Sequence, residues 1–326
     1  MELAIGPDAS GRLAAGMRRR QSHEIVPLSQ CAIAGEEASA IAREFSRLLN
    51  SREWPENFWR FLVLRRDHGP EVERWRAIAI SRPPSRQELG QSRRLAQAML
   101  DACPGLFAFI HESRRDRAPI AKGEKRVFAQ GRPGEEAGDL ATLRMRLGGR
   151  AFEADAGAFF QVNDGAAELL AARAVESARP GGGAMLDLFC GVGAPGLLLA
   201  PGPSRYLGVE LDPSAVASAR RNARDMPHCS FMAMGAEAAL AKLPPGFADD
   251  LSTVLIDPPR AGMGKRAMDS LAALAPENVI MISCEPATFA RDAKRLAASH
   301  RLASLGAVDM FPHSPHVEAW SLWTRQ

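Results

Sequence analysis

From about residue 184 onward, short apolar runs alternate with segments whose apolar positions recur at helical spacing. "AMLDLF", "RYLGVE", "FMAM", "LSTVLID" and "NVIMIS" are too short for helices, are bounded by Gly, Pro and Asp, and read as strands. Helices fall between them. "DPSAVASARRNA" is one, with Pro213 in its first turn, and "PGLLLA" opens another directly after a glycine-rich turn. Strands alternating with helices predict an α/β fold with a doubly wound, mainly parallel sheet. "RLASLGAVDMF" and "VEAWSLW" follow one another closely and predict an antiparallel pair.

The first half has a less regular rhythm. "EEASAIAREFSRLLN" and "SRQELGQSRRLAQAML" are helical in period, the second opened by a capping box of Ser85 and Glu88. "FWRFLVLRR", "RWRAIAIS" and "GLFAFIHES" read as strands, and "LRMRLGGRAFEAD" as a hairpin turning at Gly148–Gly149. This is an α+β pattern. The expected organisation is a basic α+β region over 1–150 followed by a catalytic α/β domain over 151–326.

Composition adds bounds. The chain of 326 residues is 46% hydrophobic and 24% charged, ordinary values for a globular protein of about two domains. No apolar run approaches the ~18 residues that span a bilayer, and the first residues lack the basic-then-apolar order of a secretion signal. Five scattered cysteines (31, 103, 190, 229 and 284) make no close pair, which predicts neither a disulfide framework nor a metal site and fits a cytoplasmic protein. Charge is uneven. Residues 1–150 hold 26 Lys and Arg against 19 Asp and Glu, whereas the remainder holds 15 against 19. Nearly all the cations of the first half are arginines, whose planar fork suits phosphate. The plain alternative is a solvated basic face.

Four elements of the second half carry chemistry. "LDLFCGVGAPGLLLA" sets Gly191, Gly193 and Gly196 between a strand and a helix, where backbone can come close to a ligand. Glu210 ends the next strand, where an acid can take the hydroxyls of an adenosyl ribose. Both features fit NAD, FAD or S-adenosylmethionine. "IDPPR", from Asp257 to Arg260, ends the fourth strand, and sequences of this type at this place are common in methyltransferases acting on nucleic-acid bases. S-adenosylmethionine is the expected cofactor. Cys284 in "ISCEP" stands where an apolar strand runs out into a loop; it is either a small core residue or a nucleophile on the rim of a site.

Six segments in order, "GAFFQVN" (Gly157–Asn163), "LDLFCGVGAPGL", "GVELDPSAVASARRNA", "DPPRAGM", "SCEPATFARD" and "DMFPHSPHVEAW", resemble the RNA uracil-5-methyltransferases, which methylate carbon 5 of uridine in tRNA and ribosomal RNA. The resemblance runs from about residue 106 onward. It implies the fold of class I S-adenosylmethionine-dependent methyltransferases. It also implies roles: Gln161, Phe189, Gly191, Glu210 and Asp257 at the methyl donor, Cys284 as nucleophile and Glu318 as general base. In that chemistry a thiolate adds to carbon 6 of uracil, the resulting enolate attacks the methyl group through carbon 5, and a base removes the carbon 5 proton. A donor to the enolate oxygen is also needed, with Arg260 and His316 as the two candidates. Cys190, lodged in the glycine turn, is expected to pack rather than react, and Cys103 and Cys229 likewise.

The sequence departs from the family pattern at three places. Glu285 replaces the usual asparagine after the nucleophile, and a carboxylate there would raise the thiol pKa unless it points away or is paired. Ala194 replaces a residue that is often polar. Cys31 matches the last cysteine of the iron–sulfur set that many relatives carry, but no cysteine precedes it, so no iron–sulfur cluster is expected. The basic stretch "HESRRDRAPIAKGEKR" (His111–Arg126) is closer to ribosomal-RNA members, which makes 23S rRNA the expected substrate and RNA the expected partner of a monomer. A tRNA enzyme, a cytosine-5 enzyme and an RNA-binding relative without catalysis are the alternatives.

Overall fold

The structure is a computed structural model that describes residues 1–326 apart from 69–72, 117, 136–139, 162, 178–181 and 315. The chain forms two compact units, Met1–Met145 and Arg146–Gln326.

The first unit is built on a seven-stranded sheet ordered β3-β2-β1-β4-β5-β6-β7. Its strands are β1 (Glu2–Pro7), β2 (Leu13–Arg18), β3 (Ile25–Pro27), β4 (Trp59–His68), β5 (Glu73–Ser81), β6 (Leu106–Ser113) and β7 (Lys125–Gly131). All neighbours are antiparallel except β5 and β6, which run parallel because helix α2 (Arg86–Ala102) carries the chain across between them. The Ser85–Glu88 capping box starts α2 as expected. Helix α1 (Gly35–Leu49) presents Ile41, Ala42, Phe45 and Leu49, and α2 presents Leu95, Ala96 and Met99, to Leu3, Leu62, Leu64, Ala77 and Phe109 of the sheet. Burying that apolar surface is the main force holding the layer together. Sequence periodicity does not reveal β1 to β3. β1 and β2 carry Ala and Gly and β3 is only three residues long, so local propensity is weak or brief; β1 pairs with β4, and β2 and β3 extend the sheet from it.

β8 (Thr142–Leu147) and β9 (Arg150–Asp155) form a hairpin at Gly148–Gly149, both with positive φ.

The second unit is doubly wound. Its seven strands are β10 (Ala184–Leu188), β11 (Arg205–Glu210), β12 (Cys229–Ala233), β13 (Leu251–Ile256), β14 (Asn278–Ser283), β15 (His300–Val308) and β16 (Glu318–Arg325), ordered β12-β11-β10-β13-β14-β16-β15. β10 to β14 are parallel, and β10, β13 and β14 are almost wholly buried, which is why they read as continuous apolar runs. The helices are α3 (Asp164–Ser177), α4 (Gly196–Leu199), α5 (Pro213–Asn222), α6 (Ala236–Leu240), α7 (Lys265–Leu274) and α8 (Pro286–Leu296). The expected helix after the glycine turn is only the short α4; Pro201, Gly202 and Pro203 stop it. β15 and β16 pair antiparallel as expected, and β16 also pairs antiparallel with β14. The strand order reverses between β10 and β13, and such a switch point opens a crevice at the carboxyl ends of the strands.

Candidate active site

Phe189, Gly191, Glu210, Asp257, Cys284 and Glu318 lie at or just beyond these strand ends, whereas Cys229 opens β12 at its other end. The turn after β10 is held open by positive φ at Phe189 (+66°), Gly191 (+54°) and Gly193 (+98°). Phe189 is strained there, since a side chain disfavours that region. A Cβ at Gly191 would meet nothing within contact distance, so open space lies over this turn. Glu210, ending β11, accepts from the N–H of Gly191 at 3.2 Å and from that of Asp212 at 2.9 Å, which fixes its carboxylate beside the turn. Cys190 faces inward, 3% exposed, and burial pushes its thiol well above the usual range. A buried thiol of this kind is inert.

Two residues that sequence reasoning missed support this turn. Asp187, the one charged residue of β10, is 2% exposed, and burial drives its carboxyl up to about 8. Asn222, at the end of α5, accepts from Glu153 N–H at 2.8 Å and donates to the carbonyls of Glu153 and Val192, both at 2.9 Å. It ties the strand leading into "GAFFQVN" to the glycine turn. A lone acid inside an apolar strand was the available signal for Asp187; a contact between distant segments left none for Asn222. Within "GAFFQVN", Gln161 carries a buried Oε1 that no described protein group satisfies, an unmet acceptor of the kind a ligand donor fills. Asn163 donates to the Met310 carbonyl at 3.2 Å. Val162 lies outside the described residues.

The other side of the crevice is set by register. β14 and β16 are antiparallel with Ser283 opposite Ala319, so the next residues out, Cys284 and Glu318, come together at the end of the pair. Glu318 is 3% exposed. Burial, reinforced by the Asp257 carboxylate and offset by the Arg260 guanidinium, pushes it up to about 7. Cys284 is half-buried. Burial raises its thiol, Glu318 and Asp257 raise it further, and Arg260 lowers it. Asp257, just past β13, is raised by burial to about 6. Three carboxyl groups with elevated pKa values and a thiol therefore share one end of the sheet, a pattern that marks functional sites. Glu285 is turned away: its carboxylate caps α8, accepting from Ala287 N–H at 3.5 Å. Among the described residues, no group of three or more His, Cys, Asp or Glu could hold a metal ion; Cys31 sits in the loop between β3 and α1 with its N–H bound to Ser39 Oγ at 3.0 Å. No helix among them is long and apolar enough to cross a membrane.

Comparison with known proteins bears on the family and the fold. The family model described as tRNA (uracil-5-)-methyltransferase matches residues 246–326. An uncharacterized RNA methyltransferase of Nitratidesulfovibrio vulgaris is 33% identical over 332 residues, covering 98% of this chain and 68% of that protein. One of Staphylococcus aureus is 26% identical over 333 residues, covering 99% and 70%. Among solved structures, the Pyrococcus abyssi tRNA (uracil-54, C5)-methyltransferase in complex with S-adenosyl-L-homocysteine superposes with a TM-score of 0.71 at 24% identity, over 99% of this chain and 75% of that one.

Proposed function

The chain belongs to the RNA uracil-5-methyltransferase family and is an S-adenosylmethionine-dependent RNA methyltransferase; we propose that it methylates carbon 5 of a uridine by covalent catalysis, with Cys284 as nucleophile and Glu318 as base. The observation that carries this is the antiparallel register that sets a half-buried thiol beside a buried carboxyl at the carboxyl end of β14. The Cys284 thiolate adds to carbon 6 of the ring, and the electron pair moves to the carbonyl oxygen as an enolate. Bound S-adenosylmethionine supplies the electrophilic methyl group that carbon 5 takes up. Glu318 then accepts the proton on carbon 5, the double bond re-forms and the thiolate departs. A carboxyl near 7 suits that task at neutral pH, since it is partly ionised yet still basic. Of the two candidates for the enolate donor, Arg260 is favoured over His316 because its charge acts on both Cys284 and Glu318.

The donor's residues are Gln161, Phe189, Gly191, Glu210 and Asp257. The unmet Gln161 acceptor and the open turn over Gly191 support that assignment. The first unit is the RNA-docking part, supported by its excess of arginine. A base buried in structured RNA must leave its stack to reach Cys284. Ribosomal 23S RNA is the first substrate to test. A tRNA substrate is the second reading, favoured by the description of the matching family model.

The test uses the two variants side by side. Cys284→Ala should bind RNA yet form no covalent complex and no 5-methyluridine. Glu318→Gln should accumulate a protein–RNA adduct stable on denaturing gels. Methylation by Cys284→Ala would overturn the assignment. Mapping 5-methyluridine in 23S rRNA and in tRNA with and without the gene identifies the substrate.

A further inference from the structure

The loop that follows Asp257 is bound at three successive points by side chains of one helix. Thr288 Oγ1 shares its one proton between the Glu285 carbonyl at 3.0 Å and the Arg260 carbonyl at 3.1 Å. Arg291 Nη2 donates to the Ala261 carbonyl at 2.8 Å. Asp292 Oδ2 accepts from the Met263 N–H at 3.0 Å, and its Oδ1 accepts from Arg291 Nε at 3.0 Å. All three side chains stand on α8, whose first turn begins two residues after Cys284. Asp292 is 2% exposed, so its bonds are made out of water, where losing a partner is costly. The fit is close at Gly262: φ is +76° and an added Cβ would collide with both the Arg291 guanidinium and the Asp292 carboxylate.

We propose that Thr288, Arg291 and Asp292 are positioning residues: they fix the Arg260–Met263 loop on the helix that starts beside Cys284, so that the Arg260 guanidinium is held at a set distance from the reacting sulfur. The proposal rests on the assignment of Cys284 and Arg260 to the reaction. The charged groups that act on the sulfur are Glu318 from β16 and Asp257 and Arg260 from the end of β13; Glu285, its neighbour, is engaged by the N-terminus of α8. Of these, Arg260 alone favours the thiolate, and it is exposed, with no side-chain partner of its own among the described residues. The tether it has is on its backbone, where Thr288 shares a hydrogen bond with its carbonyl.

The experiment follows the thiol directly. Iodoacetamide labelling of Cys284, read by peptide mass spectrometry across pH in the full-length protein, gives the midpoint of thiolate formation without RNA. Asp292→Ala and Arg291→Gln should each move that midpoint up by about half a pH unit or more, as Arg260→Gln does. In an Arg260→Gln background, Asp292→Ala should add no further shift, because the two act through one interaction. If Asp292→Ala does not fold, Asp292→Asn, Arg291→Gln and Thr288→Val carry the same comparison. An unshifted midpoint in folded variants overturns the proposal, and so does a shift that persists without Arg260. Failure of the nucleophile assignment would show instead as a covalent RNA adduct surviving Cys284→Ala, which the labelling does not touch.

Discussion

Tyr206 on β11 donates a 2.5 Å hydrogen bond to Asp187 on β10, with both side chains enclosed beneath the glycine turn. A Cβ at Gly196 would strike both the carboxylate and the hydroxyl, so glycine is required there by the pair below it. Tyr206→Phe leaves a buried carboxyl without its donor and should cost about 1–3 kcal/mol in urea unfolding. Gly196→Ala should weaken methyl-donor binding as well, because the turn must lift; titration calorimetry reads that loss.

Asp187 also gives a pH signature. Its carboxyl sits at about 8 in the folded chain against an ordinary 3.8, so the folded state keeps a proton that the unfolded state releases. The stabilisation this provides is complete in acid and is lost as pH rises from about 4 toward 8. Asp187→Asn should therefore gain melting temperature relative to the parent between pH 5 and pH 8. A difference that does not change with pH would contradict the buried, protonated state.

Much of this arrangement is legible in the sequence. The parallel strands β10, β13 and β14, buried on both faces, announce themselves as apolar runs, and Ser85–Glu88 marks the start of α2 unaided. Local pattern fails where partners decide. β1 owes its strand form to pairing with β4, and β2 and β3 to the edge that β1 then offers, while Asn222 owes its role to Glu153, 69 residues away. Glu285 is electrostatically adverse beside Cys284 in sequence alone; in the fold the N-terminus of α8 occupies it.

The two ionisations at the crevice predict how catalysis responds to pH. In the proposed mechanism Glu318 must be unprotonated to take the carbon 5 proton, and it is held at about 7. Release of the covalent intermediate should slow as pH falls through 7, so adduct on denaturing gels should build up at pH 6 and fade at pH 8. Cys284, raised by burial and two carboxylates, should make the addition step continue to accelerate above that.

Asp257→Ala should weaken S-adenosylmethionine binding by at least about tenfold, since it removes a half-buried carboxyl group from the proposed donor site. Calorimetry on a variant with an unchanged melting curve is the check. Cys190→Ala, in contrast, should keep most methylation activity and lose only packing.

Exposure separates the arginines of the first unit. Arg114 is 15% exposed and is bound to Asp116 and the Lys122 carbonyl, so Arg114→Gln should leave the salt dependence of RNA binding nearly unchanged. On α1, Arg43 and Arg47 are matched by Glu36 and Glu44. Arg86 and Arg94 on α2, with Arg115, stand exposed, with no such acid matched to them among the described residues. Replacing these three by glutamine should flatten the salt slope by up to ~0.7–0.9 for each phosphate that is no longer neutralised. Arg117 lies outside the described residues.

β16 comes after every other strand of its sheet in sequence, yet it is wedged between β14 and β15. During synthesis the thiol at 284 is therefore made before the carboxyl at 318, and the edge of β14 waits open until the last strand arrives. A slip of one residue on insertion would turn Glu318 to the opposite face of the sheet while leaving the fold's outline intact. Such a chain would be able to seize a uridine and have no means of letting it go. In the proposed mechanism the fidelity of one strand pairing thus separates a turnover enzyme from a suicide trap for its own substrate.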